Sequence, residues 1–350
     1  MSVTIPRRLE FVRVTEVSKF KECRRAWYLS EIRGLVPKAT QDYLWFGDKM
    51  HIGLQVLAAT EDVEKAIEVY LEACNASIPD LEKGYGGLWG EMMPMFQEMV
   101  VMGKAMLHNY AIFNAQTGMN LKTTQLEERL FVPIRTASGR SALKGSPQLT
   151  GRMDRLVIQK GQEGEFIIDY KNSTHQWTEG RGLELDEQTT GYHYLYWRIR
   201  GRLPRGMIYD TLLKKVPNEP KILKNGTISK DKDQGTTYEL MLEAIKAKGA
   251  NPTEYAEILS MLREQGWSKF FKREVTHRNL AQMRAYEANL YDVFQDMRAV
   301  AQNPRKAYPN PSPMRCPRCP FRHVCLAMND GSDAEDLIKA RFTVSEEKRL

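Results

Sequence analysis

The chain has 350 residues, 51 Lys and Arg against 44 Asp and Glu, and a net charge of +7; that is long enough to bury a sizeable core as one elaborated domain, and the basic balance suits a polyanionic partner without specifying one. No run approaches the ~18 apolar residues of a membrane span and Met1 to Arg8 has no apolar signal core, so the expected compartment is the cytoplasm, with no membrane partner. Five cysteines, an odd number with no secretion signal, argue against a disulfide framework and for metal ligation or unpaired thiols.

The first hundred or so residues read mostly as helices. Ser18 to Leu29 opens on a serine placed to cap it, and Tyr43 to Ala59 and Asp62 to Cys74 carry apolar residues at helical spacing. Gly84 to Gly87 interrupts them, and another helix is expected from Glu91 to Phe113. The period then changes. Glu127 to Ile134 reads as a strand, and the Gly-, Ser- and Pro-rich segment from Thr136 to Gln148 as a loop. Leu149 to Gln159 and Glu165 to Lys171 are two more strands, joined by the Lys160 to Gly164 turn as an antiparallel hairpin. A helix from Leu183 to Ile199 and a strand from Arg205 to Leu213 follow. Lys214 to Gly235 is polar and basic and reads as a mobile loop or small hairpin, and Tyr238 to Ala301 as a return to helix. No internal repeat or low-complexity tract interrupts this order. It divides the chain into a helical N-terminal region (1–115), an α/β core (116–215), a helical extension (216–302) and a cysteine-bearing segment with a tail (303–350).

The hairpin carries the sharpest chemical signal. Asp154 lies in Thr-Gly-Arg-Met-Asp-Arg on one strand, and Asp169 ends the run Phe-Ile-Ile on the next, in Asp-Tyr-Lys171. Asp169 and Lys171 are two apart and share a face. If the register brings Asp154 beside them, two carboxylates and an ammonium converge, and two carboxylates that close repel unless a hard cation such as Mg²⁺ or Mn²⁺ lies between them. Such a site can polarise a phosphodiester and acidify water, with Lys171 orienting or deprotonating that water or balancing charge. Asp-x-Lys by itself is a common tripeptide, better read as a strand end with a surface lysine. Downstream, however, Gln188 and Tyr192 are four apart on a helix that follows the hairpin directly. His51 sits on a helix ahead of the first strand, where a histidine on a helix face is by itself unremarked.

Together, His51, Gly151-Arg-Met-Asp154, Asp169-Tyr-Lys171 and Gln188-x-x-x-Tyr192, bracketed by Cys23 and Cys316-x-x-Cys319-x5-Cys325, resemble the iron–sulfur-containing RecB-type nucleases of the PD-(D/E)XK superfamily. That group includes the CRISPR-associated adaptation exonuclease, phage exonucleases and the AddB nuclease domain. The motifs span Ser18 to Leu326. The resemblance implies a restriction-endonuclease-like α/β core, a mixed sheet flanked by helices, with helical insertions and a terminal Fe–S clasp. It implies a metal held by His51, Asp154, Asp169 and the carbonyl of Tyr170, a catalytic Lys171, and Gln188 and Tyr192 organising the site and the nearby DNA strand. The chain departs from compact members of the group in a helical insertion from Glu61 to Phe113 and a long segment from Lys214 to Ala301.

Four thiolates from Cys23, Cys316, Cys319 and Cys325 satisfy either a [4Fe–4S] cluster or structural zinc. A zinc knuckle usually draws two close pairs, whereas a lone upstream cysteine with a tight C-terminal triplet is the layout of the nuclease group, so the cluster is expected. Cys74 reads as a small buried residue, and His323 as structural or solvent-facing rather than a ligand. Arg24, Arg25, Arg198, Arg200, Arg202, Arg205 and the lysines from Lys214 to Lys232 could track phosphates, with Trp27, Tyr28, Tyr194 and Trp197 stacking bases; taken singly, each reads better as a solvated charge or a core aromatic, and only the aggregate points to DNA. The expected activity is exonucleolytic resection of DNA with single-stranded ends, in phage or prokaryotic recombination, replication or DNA processing. The alternatives are a structure-specific endonuclease and an inert DNA-binding assembly subunit. No Gly-x4-Gly-Lys-Ser/Thr loop occurs, so long duplex calls for a separate helicase, with a recombination or annealing protein as a further expected partner.

Overall fold

The structure is a computed structural model describing residues 9–117, 119–136, 147–174 and 182–345. The start read for a signal core, and most of the loop expected between Thr136 and Gln148, lie outside the described residues. β1 (Phe11–Arg13) runs into α1 (Val14–Glu22) and α2 (Arg24–Trp27), followed by a π-helical turn (Tyr28–Ile32) and β2 (Leu35–Pro37). Ser18 is therefore interior to α1 and caps nothing. The helix breaks instead at Cys23, whose backbone is extended at φ −161° and ψ 109°. Next come α3 (Asp42–Thr60), α4 (Val63–Ala76), α5 (Ile78–Tyr85) and α6 (Trp89–Gln116). Asp62 caps α4 by accepting the Lys65 backbone N–H. The glycine interruption ends α5 on Gly86, whose φ of +55° few other residues adopt readily.

β3 (Leu121–Pro133), which begins ahead of the expected Glu127, then β4 (Gln148–Gln159) and β5 (Glu165–Ser173) form an antiparallel meander. α7 (Glu187–Arg200), capped by Asp186, returns the chain so that β6 (Gly206–Leu213) lies parallel to β5. That is the crossover connection a parallel pair needs. The Lys214 to Gly235 segment closes on one bridge, Ile222 to Ile228, with Ile228 and Gln234 buried, matching the small-hairpin reading.

The stretch expected to be helical throughout holds α8 (Tyr238–Ala247), α9 (Ala256–Gln265), then a strand, β7 (Phe271–Thr276), before α10 (Leu280–Gln302). Phe-Lys-Arg-Glu-Val-Thr lacks the alternation that announces a strand. It becomes one by pairing antiparallel along the edge of β6. β1, also missed, pairs parallel with β4. The core sheet thus has six strands, order β1-β4-β5-β6-β7 with β3 on β4, and reaches beyond 116–215 into both flanking segments. α11 (Arg322–Asp330), α12 (Ala334–Arg341) and β8 (Phe342–Val344) complete the chain, β8 pairing with β2.

Helices cover both faces of the sheet. Ile167 and Ile168, neighbours on β5, enter opposite cores, as strand alternation requires. One core lies under α1, α7 and α10, the other under α3, α4 and α6. A smaller cluster of Leu29, Leu35, Phe321, Val324, Ile338 and Phe342 joins the two ends of the chain. Among the described residues no helix is long and apolar enough to cross a membrane.

Candidate active site

β4 has β3 along one edge. On the other it pairs first with β1, at Gln148–Thr150, and then with β5, at Arg155–Ile158. Between those partners, on that edge, Gly151 to Asp154 has no paired strand among the described residues, and the sheet forks. A cleft of about 840 Å³ opens at this fork, lined by His51, Asp154, Asp169, Lys171, Gln188 and Tyr192. The structure therefore gathers every side chain expected in the site. Tyr170 points to the opposite face, so its contribution here is backbone.

Asp154 and Asp169 face each other one step beyond the last registered pair, Arg155 with Ile168. The Tyr170 N–H donates to Asp154 Oδ2 at 3.0 Å, and His51 Nδ1 on α3 stands 3.4 Å from the same oxygen. Lys171 Nζ lies 2.7 Å from Asp169 Oδ2 and donates to Gln188 Oε1 at 3.3 Å. Gln188 Nε2 donates to Asp169 Oδ1 at 3.4 Å and to the Tyr192 hydroxyl at 3.1 Å. One turn of α7 thus ties the Lys171–Asp169 pair to Tyr192. Gly151 lets α7 approach, because a Cβ there would sit 2.7 Å from Leu195 and 2.8 Å from the Tyr192 ring.

Burial pushes the Asp169 carboxyl up to about 6; Lys171 draws it back down and Asp154 adds to the rise. Burial also works against the Lys171 ammonium, but Asp169, Asp154 and Asp186 together override it, and its pKa is raised. The surrounding carboxylates thus favour the charged form of Lys171. Burial raises the Tyr192 hydroxyl, which stays protonated. Two carboxylates pressed together out of water, flanked by an imidazole, form a donor set that a hard divalent cation relieves. The residues present fit such an ion.

The four cysteines of the expected clasp carry free thiols. Burial pushes the Cys319 thiol up, with Cys23, Cys316 and Cys325 close enough to add to the effect. The N–H groups of Asn310 and Ser312 donate to the sulfurs of Cys23 and Cys316 at 3.5 and 3.3 Å, and Arg25 Nη1 to that of Cys325 at 3.4 Å. Donors aimed at sulfur suit thiolates. Among the described residues, no group of three or more His, Cys, Asp or Glu side chains, at the cysteines or at the carboxylates, is drawn to full metal-binding distance; at the carboxylates, Asp154 pairs with His51 and Asp169 with Lys171 instead. Cys74 is buried in α4, apart from the others, and His323 is exposed on α11.

Several of the basic and aromatic residues offered to a phosphate-tracking groove match the alternative reading, as paired charges and core aromatics. Arg24 pairs with Asp296, Arg198 with Glu287 and Arg200 with Glu128. Trp27 and Tyr194 are fully buried, so they hold the core and cannot stack on bases. Two exposed aromatics at the cleft were missed. Phe11 on β1 and Phe131 on β3 are 52% and 42% exposed, meet edge to face at 5.8 Å, and line the carboxylate cleft with Arg129 and Arg152. Their separation in sequence gave no signal; an outward-facing Phe on each of two strands flanking β4 would have been the clue.

Residues 13–326 match the family model described as the PD-(D/E)XK nuclease superfamily. No curated protein matches the chain.

Proposed function

Because this chain belongs to the PD-(D/E)XK nuclease superfamily, and so to the metal-dependent nucleases, we propose that it removes nucleotides from DNA ends that are single-stranded. The observation that carries this reading is the exposed Phe11–Phe131 pair beside the carboxylate site. An unpaired base offers its face to an aromatic ring without the unstacking that a base inside a duplex requires, and such stacking is worth ~1–3 kcal/mol per base. Arg129 at the same rim meets the phosphates.

In this reading His51, Asp154, Asp169 and the Tyr170 carbonyl hold Mg²⁺ or Mn²⁺, which when bound supplies Lewis acidity and a more acidic water. Lys171 sets its charge against that developing on the phosphoryl oxygens as the P–O bond breaks. Gln188 fixes Lys171 and Asp169, and the Tyr192 hydroxyl, kept protonated, donates toward the strand. Incubating the protein with 5′- and 3′-labelled single-stranded DNA and Mn²⁺ tests the reading: stepwise release of mononucleotides from one end is expected. Internal cuts would make it an endonuclease, and intact DNA an inert binding subunit. Phage or prokaryotic recombination, replication or DNA processing, with a separate helicase for duplex, is the setting this activity fits.

Tyr192→Ala should slow single-turnover cleavage on the order of a hundredfold, since a phosphate misplaced by ~1 Å costs that much. Its melting temperature decides the interpretation. A stability loss with unchanged cleavage per folded molecule would make Tyr192 packing alone.

The same proposal places a [4Fe–4S] cluster on Cys23, Cys316, Cys319 and Cys325. The sulfur-directed N–H donors support it, since such bonds tune clusters. Anaerobically purified protein should be brown and contain iron and sulfide, and one stoichiometric zinc in colourless protein would refute this. Cys23→Ser and Cys325→Ser should lower the melting temperature to a similar extent. Neither should unfold the chain, because the β2–β8 pairing and the Arg33–Glu335 ion pair also join the ends.

A further inference from the structure

A second cleft, of about 760 Å³, lies on the other side of the sheet, where α3 and α6 meet β3 and β4. Its lining includes Arg155 and Tyr170, the residues next in sequence to Asp154 and Asp169 and turned away from the catalytic cleft. Arg155 is 6% exposed. Its Nε donates to Thr123 Oγ1 at 2.9 Å and its Nη1 to the Tyr170 hydroxyl at 3.3 Å. Both acceptors are neutral, and among the described residues no carboxylate pairs with it. A guanidinium has five N–H donors, and a buried charge without a counter-ion is costly. This one is held by two neutral hydroxyls with donor capacity to spare.

The rest of the lining says what fills it. Lys122 and Lys160 stand at the rim, and Glu61 is the acidic residue among the described lining, leaving the cleft two positive charges in excess. Leu54, Leu57, Ala111 and Leu121 supply apolar wall. A phosphomonoester carries about two negative charges at neutral pH, so it matches that excess better than a carboxylate does. We propose that this cleft binds a small phosphomonoester with an apolar or aromatic body, of the size of a nucleoside monophosphate. Its phosphate sits on Arg155 and its body against the apolar wall.

The test is calorimetric titration of the full chain with dAMP, inorganic phosphate and deoxyadenosine in EDTA, so that no divalent cation draws nucleotide to the catalytic cleft. The expected result is a single site for dAMP, at least about tenfold tighter than for either fragment. That site should survive Lys171→Met. It should weaken about tenfold or more in Arg155→Gln, which removes the guanidinium, and in Ala111→Trp, which fills the wall and leaves the guanidinium in place. Three results overturn the inference: dAMP binding no tighter than phosphate, binding indifferent to both cleft variants, or binding lost in Lys171→Met. None of these touches the nuclease reading, which rests on the opposite face.

Discussion

Asp169→Asn and Lys171→Met are each expected to lower DNA cleavage by ~10³-fold or more while leaving the protein folded. Asp169 is the better probe. It is buried beside Asp154, and burial has already pushed its carboxyl up to about 6, so the charge is useful to a cation and costly to the fold. Asparagine keeps the shape and can still accept from Gln188. The melting temperature should therefore hold or rise as activity falls, which separates a catalytic role from a structural one. Lys171→Met removes the ammonium 2.7 Å from Asp169 Oδ2 and keeps a side chain of similar length. Because the groups act as a unit, the double variant should be little worse than either single one. Single-turnover rates per folded molecule, measured with saturating Mn²⁺, check this. Near-wild-type cleavage by Asp169→Asn would place the active site elsewhere.

Asp210→Ala should destabilise the chain by about 3–5 kcal/mol, the usual cost of leaving a buried charge without its partner. Asp210 on β6 and Arg273 on β7 are 1% and 7% exposed. Nε and Nη2 of Arg273 donate to the two Asp210 oxygens, each at 2.6 Å, the two-pronged geometry that makes such pairs strong. The Tyr110 hydroxyl on α6 also donates to Asp210 Oδ2 at 2.6 Å. Removing the carboxylate strands the guanidinium and unpins both β7 and α6. The double variant Asp210→Leu, Arg273→Met should recover most of the loss, since an apolar pair of similar volume carries no stranded charge. Urea midpoints of the three proteins check the order. A single-variant loss below about 1 kcal/mol would mean that water reaches the pair, as at exposed ion pairs.

The sequence alone determined the elements that local physics controls. The period-two runs and short turn specified the β4–β5 hairpin. Asp62 marks where α4 starts and the i, i+4 spacing put Gln188 beside Tyr192, whereas α7 starts at Glu187 behind its Asp186 cap and not at the expected Leu183. Strand alternation put Asp169 and Lys171 on one face, but Asp154, Asp169, Lys171 and His51 became legible as one site only through the resemblance of the whole ordered motif set to a nuclease family. The tertiary structure decided what depends on contacts distant in sequence. β7 is a strand because β6 presents an edge to it, although Phe271 to Thr276 has no strand pattern of its own. β1 joins β4 over three residues, Phe11 to Arg13, too short a run to carry a period. That pairing brings Phe11 against Phe131 and forks the sheet where the carboxylates meet. Trp27 and Tyr194, offered either to a DNA base or to the core, went to the core. A side chain's type is written in the chain, but whether it ends buried, stacked or poised at a cleft depends on which surfaces fold against it.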